Sequence, residues 1–417
     1  TALLILPCLF FALGLFLLSL TLPTAVREGH VRSAVIVGAI LLIAHLVLVW
    51  RSPAADQLLL PLVAMLGAIG LLTITRLAPD LAIRQALWMA AGLGLMIATV
   101  ILMPRITLLQ DYKYTSAVAG LLLVAPTFLL GVDPNGSGAR LWLGVGSIYF
   151  QPSEVLKVLL VVFLAGYLDD KRELLSWSSS RLGGLRLPPL PYLGPLVAMW
   201  GVSLLLMVGQ RDLGAALLLF GVFLAMLYVA SSRGVYVWAG LLALSVGGYL
   251  CYLAFPHVQL RVDVWLDPWS RAQNEGYQIV QGLVAVASGG IIGAGLGLGY
   301  PYFVPAVQTD YVIVAIAEEM GLTGALAVIG LFMLLVSRGF RIALRARDSY
   351  SFLLATGLTS ILAIQTLVIL GGTLKLIPLT GITLPFISYG GSSILTNFLI
   401  LALLLRISAD GGDPVGA

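Results

Sequence analysis

Residues 311–337 read YVIVAIAEEMGLTGALAVIGLFMLLVS and directly follow a single carboxylate, Asp310. A helix needs about 20 apolar residues to cross a bilayer, and this run exceeds that length. Glu318 and Glu319 lie about 12 Å deeper than Asp310 on the same helix, because each residue adds about 1.5 Å. Adjacent residues point in different directions, so both glutamates cannot serve a site at Asp310. We predict that at least one of them pairs with a basic group on a neighbouring span.

The composition is that of an integral membrane protein. Of 417 residues, 60% are hydrophobic and 10% are charged, against roughly 25% charged in an ordinary soluble domain. The mean hydropathy is +1.04. The net charge of +4 lies mostly in short loops, so it predicts topology and no nucleic-acid partner. Cys8 and Cys251 both fall in apolar runs, and we predict no disulfide between them.

Twelve apolar runs bounded by Pro, Gly or charge predict an all-α, polytopic membrane protein with about 12 transmembrane helices. A barrel is disfavoured, because the runs are continuous and do not alternate. The first run has no basic residues before it and no small-residue cleavage site, so we interpret it as a span and not a signal peptide. The runs cover about 2–22, 33–50, 57–77, 83–103, 113–132, 154–169, 191–209, 212–231, 234–255, 311–337, 351–372 and 388–407.

Basic residues predict the orientation of these spans. One set of loops carries more than half of the 23 Lys and Arg residues, whereas 256–309, on the opposite side, holds only Arg261 and Arg271. Positive charge favours the cytoplasmic side, so we expect both termini in the cytoplasm and this segment outside. The segments with unusual chemistry then share the outer side, and these are 133–153, 210–212, 256–310 and 373–387.

The long segment 256–309 is predicted to do more than connect two spans, since long passive loops are uncommon in compact proteins. Its apolar part, 279–292, is too short to cross a bilayer and is expected to form a re-entrant or interfacial helix. The glycines that follow, from Gly289 to Gly299, favour close packing against other backbone. A phosphate-cradling loop is the weaker interpretation, because no Lys-Ser or Lys-Thr pair follows.

Asp310 has two interpretations that are compatible with each other. It could cap the following helix, a role that Thr309 could also take. It could also act as a base, because a helix N-terminus stabilises the ionised carboxylate.

A second polar segment runs from Asn135 to Lys157. Its end resembles a helix start, and a Glu154–Lys157 pair one turn apart could neutralise itself at the membrane edge. Arg140 could hold an anionic headgroup or anchor the chain at the lipid interface beside Trp142.

Two further segments bring polar groups to the same side. Gln210, Arg211 and Asp212 form either a simple turn or part of a site. Residues 374–398 contain prolines and glycines that interrupt a helix, together with Ser388 and Ser392 at membrane depth. Such backbone is tolerated where it packs on protein or lines a wet cavity, so we predict that this segment forms one wall of a site.

These segments together resemble the SEDS family (shape, elongation, division and sporulation), which includes RodA and FtsW. The resemblance rests on FQPSE, DLG, GYQIVQ with SGG and GLG, TD followed by AEEMG, and PLTGITLPFISYGGSS, and it covers about 57–408. It implies a ten-span core with a long extracytoplasmic loop, 256–309, between core spans 7 and 8. Residues 1–52 would then be two extra N-terminal transmembrane helices, and 53–417 the glycosyltransferase core.

The resemblance implies a peptidoglycan glycosyltransferase that polymerises lipid II at the outer face of the bacterial cytoplasmic membrane. Undecaprenyl pyrophosphate would leave, and the partner would be a class B penicillin-binding protein that cross-links the new strand. Asp310 matches the family's essential carboxylate, and we assign it as general base on the acceptor sugar hydroxyl. The preceding family histidine is Gln308 here, and the proline of the family's Gln-Pro-Asp-Leu-Gly motif is Arg211.

A pyrophosphate leaving group needs positive charge from Arg, Lys or a metal ion. Arg140, Arg211 and Lys375 are the external candidates, and a divalent cation, Mg²⁺ or Mn²⁺, would be held by one or two carboxylates and the pyrophosphate itself. The full set of predicted substrate-binding residues is Arg140, Glu154, Lys157, Arg211, Gln278, Gln308, Thr309, Lys375, Ser388 and Ser392.

Two other functions compete with this one. A lipid II flippase would need a cationic cavity open to both sides, whereas the unusual residues here lie at one face. A generic twelve-span solute carrier is disfavoured by the long external segment.

Overall fold

The computed structural model describes residues 2–21, 27–134, 138–146, 148–171, 180–182, 185–187 and 190–411. Asn135, where the second polar segment begins, lies outside these residues. The described helices, other than three short 3₁₀ turns, are α1 (Ile5–Thr21), α2 (Arg27–Arg51), α3 (Leu59–Leu77), α4 (Pro79–Leu102), α5 (Leu108–Asp111), α6 (Lys113–Val124), α7 (Thr127–Leu130), α8 (Pro152–Asp170), α9 (Leu190–Gly209), α10 (Leu213–Ser231), α11 (Gly234–Ala254), α12 (Pro256–Leu266), α13 (Tyr277–Gly289), α14 (Val312–Leu344), α15 (Ser349–Thr373) and α16 (Gly391–Gly411).

The predicted all-helical, polytopic membrane protein is confirmed. Among the described residues, nine helices are long and apolar enough to cross a membrane, and Ile5–Leu20 and Gly194–Gly209 are shorter apolar helices. Helix α8 is also 19 residues long, but it carries several charged residues. These twelve segments, with α6 and α7 as one, coincide with the predicted spans. The described strands form two short antiparallel hairpins, β1 (Leu143–Val145) with β2 (Ile148–Phe150) and β3 (Ser180–Leu182) with β4 (Leu185–Leu187).

The centre of the bundle is formed by α15 and α16, most of whose residues are buried. Helices α8, α10 and α14 pack against α15, while α16 packs most extensively on α4. Helix α11, in contrast, has no buried residue. Helix α1 packs on α3 and α2 packs on α4. The division into two N-terminal helices and a ten-span core stays a prediction.

Four connections meet at one end of the bundle, which we call the site face. They comprise residues 131–151, of which 135–137 and 147 lie outside the described residues, together with 210–212, 255–311 and 374–390.

The segment between α11 and α14 is more ordered than the sequence indicates. The sequence treats most of 256–309 as loop with one helix at 279–292, and this is wrong in two respects. Helix α12 begins directly after α11, with Pro256 in its first turn. Helix α13 begins at Tyr277 and ends at Gly289, because Gly290 adopts a left-handed φ of 54°.

Helix α13 and the glycines after it pack around a break in α14. Gly321 interrupts α14 with φ 68° and ψ −170°. A side chain on Gly289 or Gly321 would overlap backbone atoms of the opposing segment. Backbone bonds join the two segments, with Leu322 N donating to Gly290 O at 2.9 Å and Ala294 N to Glu318 O at 2.9 Å. The glycines therefore serve close packing, as predicted.

Glu318 and Glu319 fasten this segment to the bundle. Arg76 of α3 donates through Nε to Glu319 Oε1 at 3.0 Å and through Nη2 to Gly299 O at 3.0 Å. Glu319 Oε2 accepts from Gly297 N at 3.0 Å, and Glu318 Oε1 accepts from Tyr300 N at 2.7 Å. The prediction that one glutamate pairs with a basic group on a neighbouring span is confirmed.

Candidate functional site

Asp310 lies in the turn that leads into α14 and is partly buried. Its backbone N donates to Ala306 O at 3.2 Å. Its carboxylate faces Gly381, where a Cβ atom would lie 3.6 Å from Asp310 Oδ2. Burial raises the pKa of this carboxyl group, while the positive charge of Arg261 lowers it. The carboxylate is therefore partly enclosed by protein and lies beside the 374–390 wall.

The capping interpretation of Asp310 and Thr309 is wrong. The N-cap position of α14 is Tyr311, and no side chain caps this helix. Thr309 Oγ1 instead donates to Ala306 O at 3.0 Å, within its own turn. The Asp310 carboxylate is therefore available for another role.

The wall that faces Asp310 is held by serine hydroxyls. Ser388 Oγ donates to Thr309 O at 2.5 Å and accepts from Leu384 N at 2.9 Å. Tyr389 N donates to Gln308 O at 2.9 Å. Ser392 Oγ accepts from the backbone N of Gln151 at 2.8 Å. Ser388 and Ser392, predicted to bind substrate, thus use their hydroxyls in this structure to join three chain segments.

A buried polar chain runs from α8 to the same wall. Lys157 is buried, and its Nζ donates to Glu154 Oε2 at 2.7 Å and to Gln365 Oε1 at 2.8 Å. Gln365 Nε2 then donates to Thr383 O at 2.8 Å, and Thr383 Oγ1 donates to Ser393 Oγ at 2.8 Å. The predicted Glu154–Lys157 pair is present. Gln365 was not among the predicted site residues, although a glutamine inside an apolar span is uncommon and indicates a functional or structural role.

Residues 210–212 form a tight turn, as one of the two interpretations predicted, and they also border the site. Asp212 caps α10 by accepting from Ala215 N at 3.0 Å, and it also accepts from Gln151 Nε2 at 3.4 Å. Burial raises its pKa, and the charge of Glu154 raises it further, whereas Arg261 lowers it. Arg211 is exposed and has a left-handed φ of 65°.

Left-handed backbone at non-glycine residues is concentrated around this site. Such conformations cost on the order of 1–3 kcal/mol and persist where the surrounding structure enforces them. Four of the five described cases lie at the site face, and they are Arg211, Ala306, Lys375 and Phe386.

Three further predicted binding residues lie at the site face, each in a different setting. Gln278 Nε2 donates to Pro305 O at 2.9 Å and so braces the turn before Asp310. Lys375 Nζ donates to Leu266 O at 3.4 Å, which directs it toward α12. Arg140 is exposed on the 131–151 connection.

Arg261 and His257, both on α12, were missed as site residues. Arg261 Nη1 donates to Leu379 O at 3.4 Å, two residues before Gly381. The charge of Arg261 acts on Asp310, Asp212 and His257 alike. Residues 256–266 show no clear helical period, so α12 and the two residues it brings to the site face could not be recognised from the sequence.

Among the described residues, no group of three His, Cys, Asp or Glu side chains converges.

Comparison with known proteins identifies several relatives. A family model for FtsW, RodA and SpoVE, described as "Cell cycle protein", matches residues 54–411. The peptidoglycan glycosyltransferase RodA of Mycobacterium bovis is 42% identical over 385 residues, which is 89% of this chain and 82% of that protein. Stage V sporulation protein E of Bacillus subtilis is 37% identical over 307 residues, which is 72% of this chain and 81% of that protein.

Solved structures show the same architecture. A peptidoglycan synthase complex that coordinates polymerization and crosslinking contains a chain with a TM-score of 0.71 and 29% identity, covering 86% of this chain and 98% of that chain. The crystal structure of the rod shape determining protein RodA of Thermus thermophilus gives a TM-score of 0.61 and 27% identity, covering 85% and 97%.

Proposed function

The chain belongs to the FtsW/RodA/SpoVE family and is a peptidoglycan glycosyltransferase, and we propose that Asp310 is its general base. The acceptor is a sugar hydroxyl of lipid II, and a hydroxyl is a poor nucleophile until a base takes its proton. A carboxylate within hydrogen-bond reach contributes about 10² to 10⁴-fold to such a reaction. The oxygen attacks the anomeric carbon of the donor strand, and undecaprenyl pyrophosphate leaves.

The observation that carries this proposal is the position of the Asp310 carboxylate. It faces Gly381 at the polar wall, and among the described residues it has no ion-pair partner within 4.0 Å. Burial would favour its neutral form, while the charge of Arg261 favours the ionised form that a base requires. A carboxylate that is neither capping a helix nor paired with a cation can accept a proton during the reaction.

The other site residues support binding. Glu154 and Lys157 neutralise each other beside the wall, so they offer hydrogen bonds to sugar without a large net charge. Arg140 and Arg211 are exposed at the site face and can approach phosphate oxygens. The Lys375 ammonium donates a hydrogen bond to Leu266 O at the end of α12, so we assign it a smaller role in binding phosphate. Gln278, Gln308, Thr309, Ser388 and Ser392 shape the wall and the turn that position Asp310.

We assign no step to Mg²⁺ or Mn²⁺. Because the described side chains do not converge as a protein-only metal site, a cation would need the pyrophosphate of the substrate for most of its ligands. Cation dependence of the polymerisation rate stays a prediction.

The orientation and the partner are also part of the proposal. With the site face outward, the basic connections lie in the cytoplasm, as positive charge favours. Both termini would then be cytoplasmic, and the site would face lipid II outside the bacterial inner membrane. A class B penicillin-binding protein is the expected partner, and the relative found in a complex that couples polymerization to crosslinking supports such a pairing.

The test is Asp310→Asn in purified protein reconstituted with lipid II and the partner. We expect glycan polymer on a gel to fall by about 10² to 10⁴-fold, while the protein stays folded. Asp80→Asn is the matched control, because it removes an exposed carboxylate at the start of α4. Unchanged polymer with Asp310→Asn would remove the base assignment. Transport of lipid II without any polymer from the native chain would favour the flippase.

A further inference from the structure

Two arginines act on one histidine at the site face, and one of them, Arg261, also acts on Asp310. His257 and Arg261 belong to α12, and Arg211 lies in the turn before α10. Burial lowers the pKa of the His257 imidazole, and the positive charges of Arg211 and Arg261 lower it further. The imidazole is therefore neutral near pH 7, and both guanidinium groups are close enough to act on it.

Neither guanidinium group is held in an ion pair within the described part of the chain, although Arg261 lies close enough to Asp310 and Asp212 to act on both carboxylates. Among the described residues, neither Arg211 nor Arg261 has a carboxylate oxygen within 4.0 Å, and both side chains are exposed. The hydrogen bond from Arg261 to Leu379 O is 3.4 Å long, beyond the usual range of such bonds. An anion bound within reach of both guanidinium groups would be attracted by both positive charges. Such a pair suits an anion with more than one negative charge.

The position of Arg261 relative to Asp310 is set by a short strip of the wall, Leu379–Gly381. Arg261 contacts this strip at Leu379, and the Asp310 carboxylate faces it at Gly381. Gly214, two residues after Asp212, packs on the middle of this strip. A Cβ atom on Gly214 would lie 2.8 Å from Thr380 O. Arg261 thus borders the same space as the proposed base.

We infer that Arg261, with Arg211 beside it, binds the lipid-linked diphosphate that leaves the donor strand. This inference rests on the proposed function, because the reaction requires base and leaving group to lie about one sugar apart. The attacking oxygen is in hydrogen-bond reach of Asp310, and the carbon it attacks carries the diphosphate on its other side. Arg forms bidentate bonds to phosphate oxygens.

The chemical step balances as follows. The acceptor O–H proton passes to the Asp310 carboxylate as the acceptor oxygen forms its bond to the anomeric carbon of the donor. The bond from that carbon to the phosphate oxygen breaks, and its electron pair leaves with undecaprenyl pyrophosphate. Negative charge grows on the diphosphate as the bond breaks, so Arg261 stabilises the transition state more than the bound substrate.

Binding is measured without turnover, in full-length protein that carries Asp310→Asn in lipid nanodiscs. Undecaprenyl pyrophosphate is titrated. Undecaprenyl phosphate, which keeps the lipid tail but has one phosphate, and inorganic pyrophosphate, which has the diphosphate but no tail, are titrated in parallel. Adding Arg261→Gln should raise the Kd for undecaprenyl pyrophosphate about tenfold, as expected for losing a charge-assisted bond. Arg271→Gln, which removes an arginine from the same segment, should leave it unchanged. Equal Kd values with and without Arg261, or an equal loss with Arg271→Gln, would overturn the inference.

Kinetics separate this role from a purely structural one. Arg261→Gln should lower kcat by about 10²-fold with little change in KM. Arg261→Lys should restore part of this rate, because lysine keeps the positive charge but cannot form the two parallel hydrogen bonds of a guanidinium group. The acid limb of the rate should also move to higher pH, because losing this positive charge raises the Asp310 pKa further. The charged and titratable groups around this space are Arg211, Asp212, His257, Arg261, Asp310, Tyr311, Glu154 and Lys157.

The test stays decisive even if one of these variants misfolds. If Arg261→Gln does not fold, Arg261→Lys still decides, since a kcat and a Kd equal to those of the parent would contradict the assignment, whereas the acid limb should stay near that of the parent because lysine keeps the charge. If Asp310→Asn polymerises lipid II normally, the base assignment fails, whereas the binding measurement still decides the role of Arg261.

Discussion

The start of α14 and its second turn both carry carboxylates, yet the two regions are built differently. Glu319 is 5% exposed, and its carboxylate accepts bonds from Arg76 and from Gly297 N. Asp310 is partly buried, has no ion-pair partner among the described residues, and faces the 374–390 wall. A buried charge needs partners to be tolerated, so the deeper carboxylates stabilise the fold. The carboxylate at the rim is open to substrate.

The same contrast appears in the backbone around the two regions. Around Glu318 and Glu319, glycines let two segments touch and exchange backbone hydrogen bonds. Around Asp310, the turn is held from outside, by Ser388 through the carbonyl of Thr309 and by Gln278 through Pro305. One region is joined by direct backbone contact, and the other is positioned by side chains that surround an open space.

The largest expected loss of stability comes from breaking the deep ion pair. Glu319→Gln leaves the Arg76 charge without its carboxylate, and breaking a buried pair costs about 3–5 kcal/mol; because Arg76 is 16% exposed, we expect the lower end of that range. Thermal unfolding in detergent measures it. Glu318→Gln is the matched control, since its amide oxygen can still accept from Tyr300 N, and we expect a loss below about 1 kcal/mol. Equal losses for the two variants would contradict the assigned roles.

A smaller loss is expected at the break in α14. Gly321→Ala places a Cβ against Gly293 N and Ile291 O and forces alanine to keep φ 68°, so it should destabilise the protein by about 1–3 kcal/mol. Gly330→Ala is the control on the same helix, because its added Cβ meets no atom within 4 Å. It should be neutral or stabilising by up to about 1 kcal/mol. The unfolding temperatures of the two variants, measured side by side, should therefore move apart.

The pH dependence of the rate sharpens the difference at Asp310. A base works in its ionised form, so kcat/KM should fall as pH drops through the pKa of Asp310. Burial raises that pKa, and the acid limb should lie above the value of about 3.9 for free aspartate. A pH profile of polymerisation from about 4 to 8 tests this. A limb at or below the free value would contradict a buried base.

The sequence predicted the spans well because apolar run length is decided locally. It also predicted that at least one of Glu318 and Glu319 pairs with a basic group and that the glycines pack closely, since charges in lipid and glycine clusters restrict what the fold can do. Helix α12 was missed because PHVQLRVDVWL carries neither a long apolar run nor a clear helical period, and Arg261 was missed with it.

The roles of the wall serines could not be predicted in the same way. Ser388 and Ser392 were expected to bind substrate, but their hydroxyls bond to Thr309 and Gln151, which lie 79 and 241 positions away in the chain. Gln365 reaches Lys157 across 208 positions. Such partners are set by tertiary packing, which no local pattern in one sequence specifies.

The central claim is that the rim carboxylate acts in the reaction and the deep carboxylate holds the fold. Asp310→Asn and Glu319→Gln test it most directly when the lipid II polymerisation rate and the unfolding temperature are measured for both, with the rate taken well below either unfolding temperature. We predict a crossed result, in which Asp310→Asn loses its rate and keeps its unfolding temperature, while Glu319→Gln unfolds earlier and still polymerises. A loss of both properties in the same variant, with the other unaffected, would contradict the account.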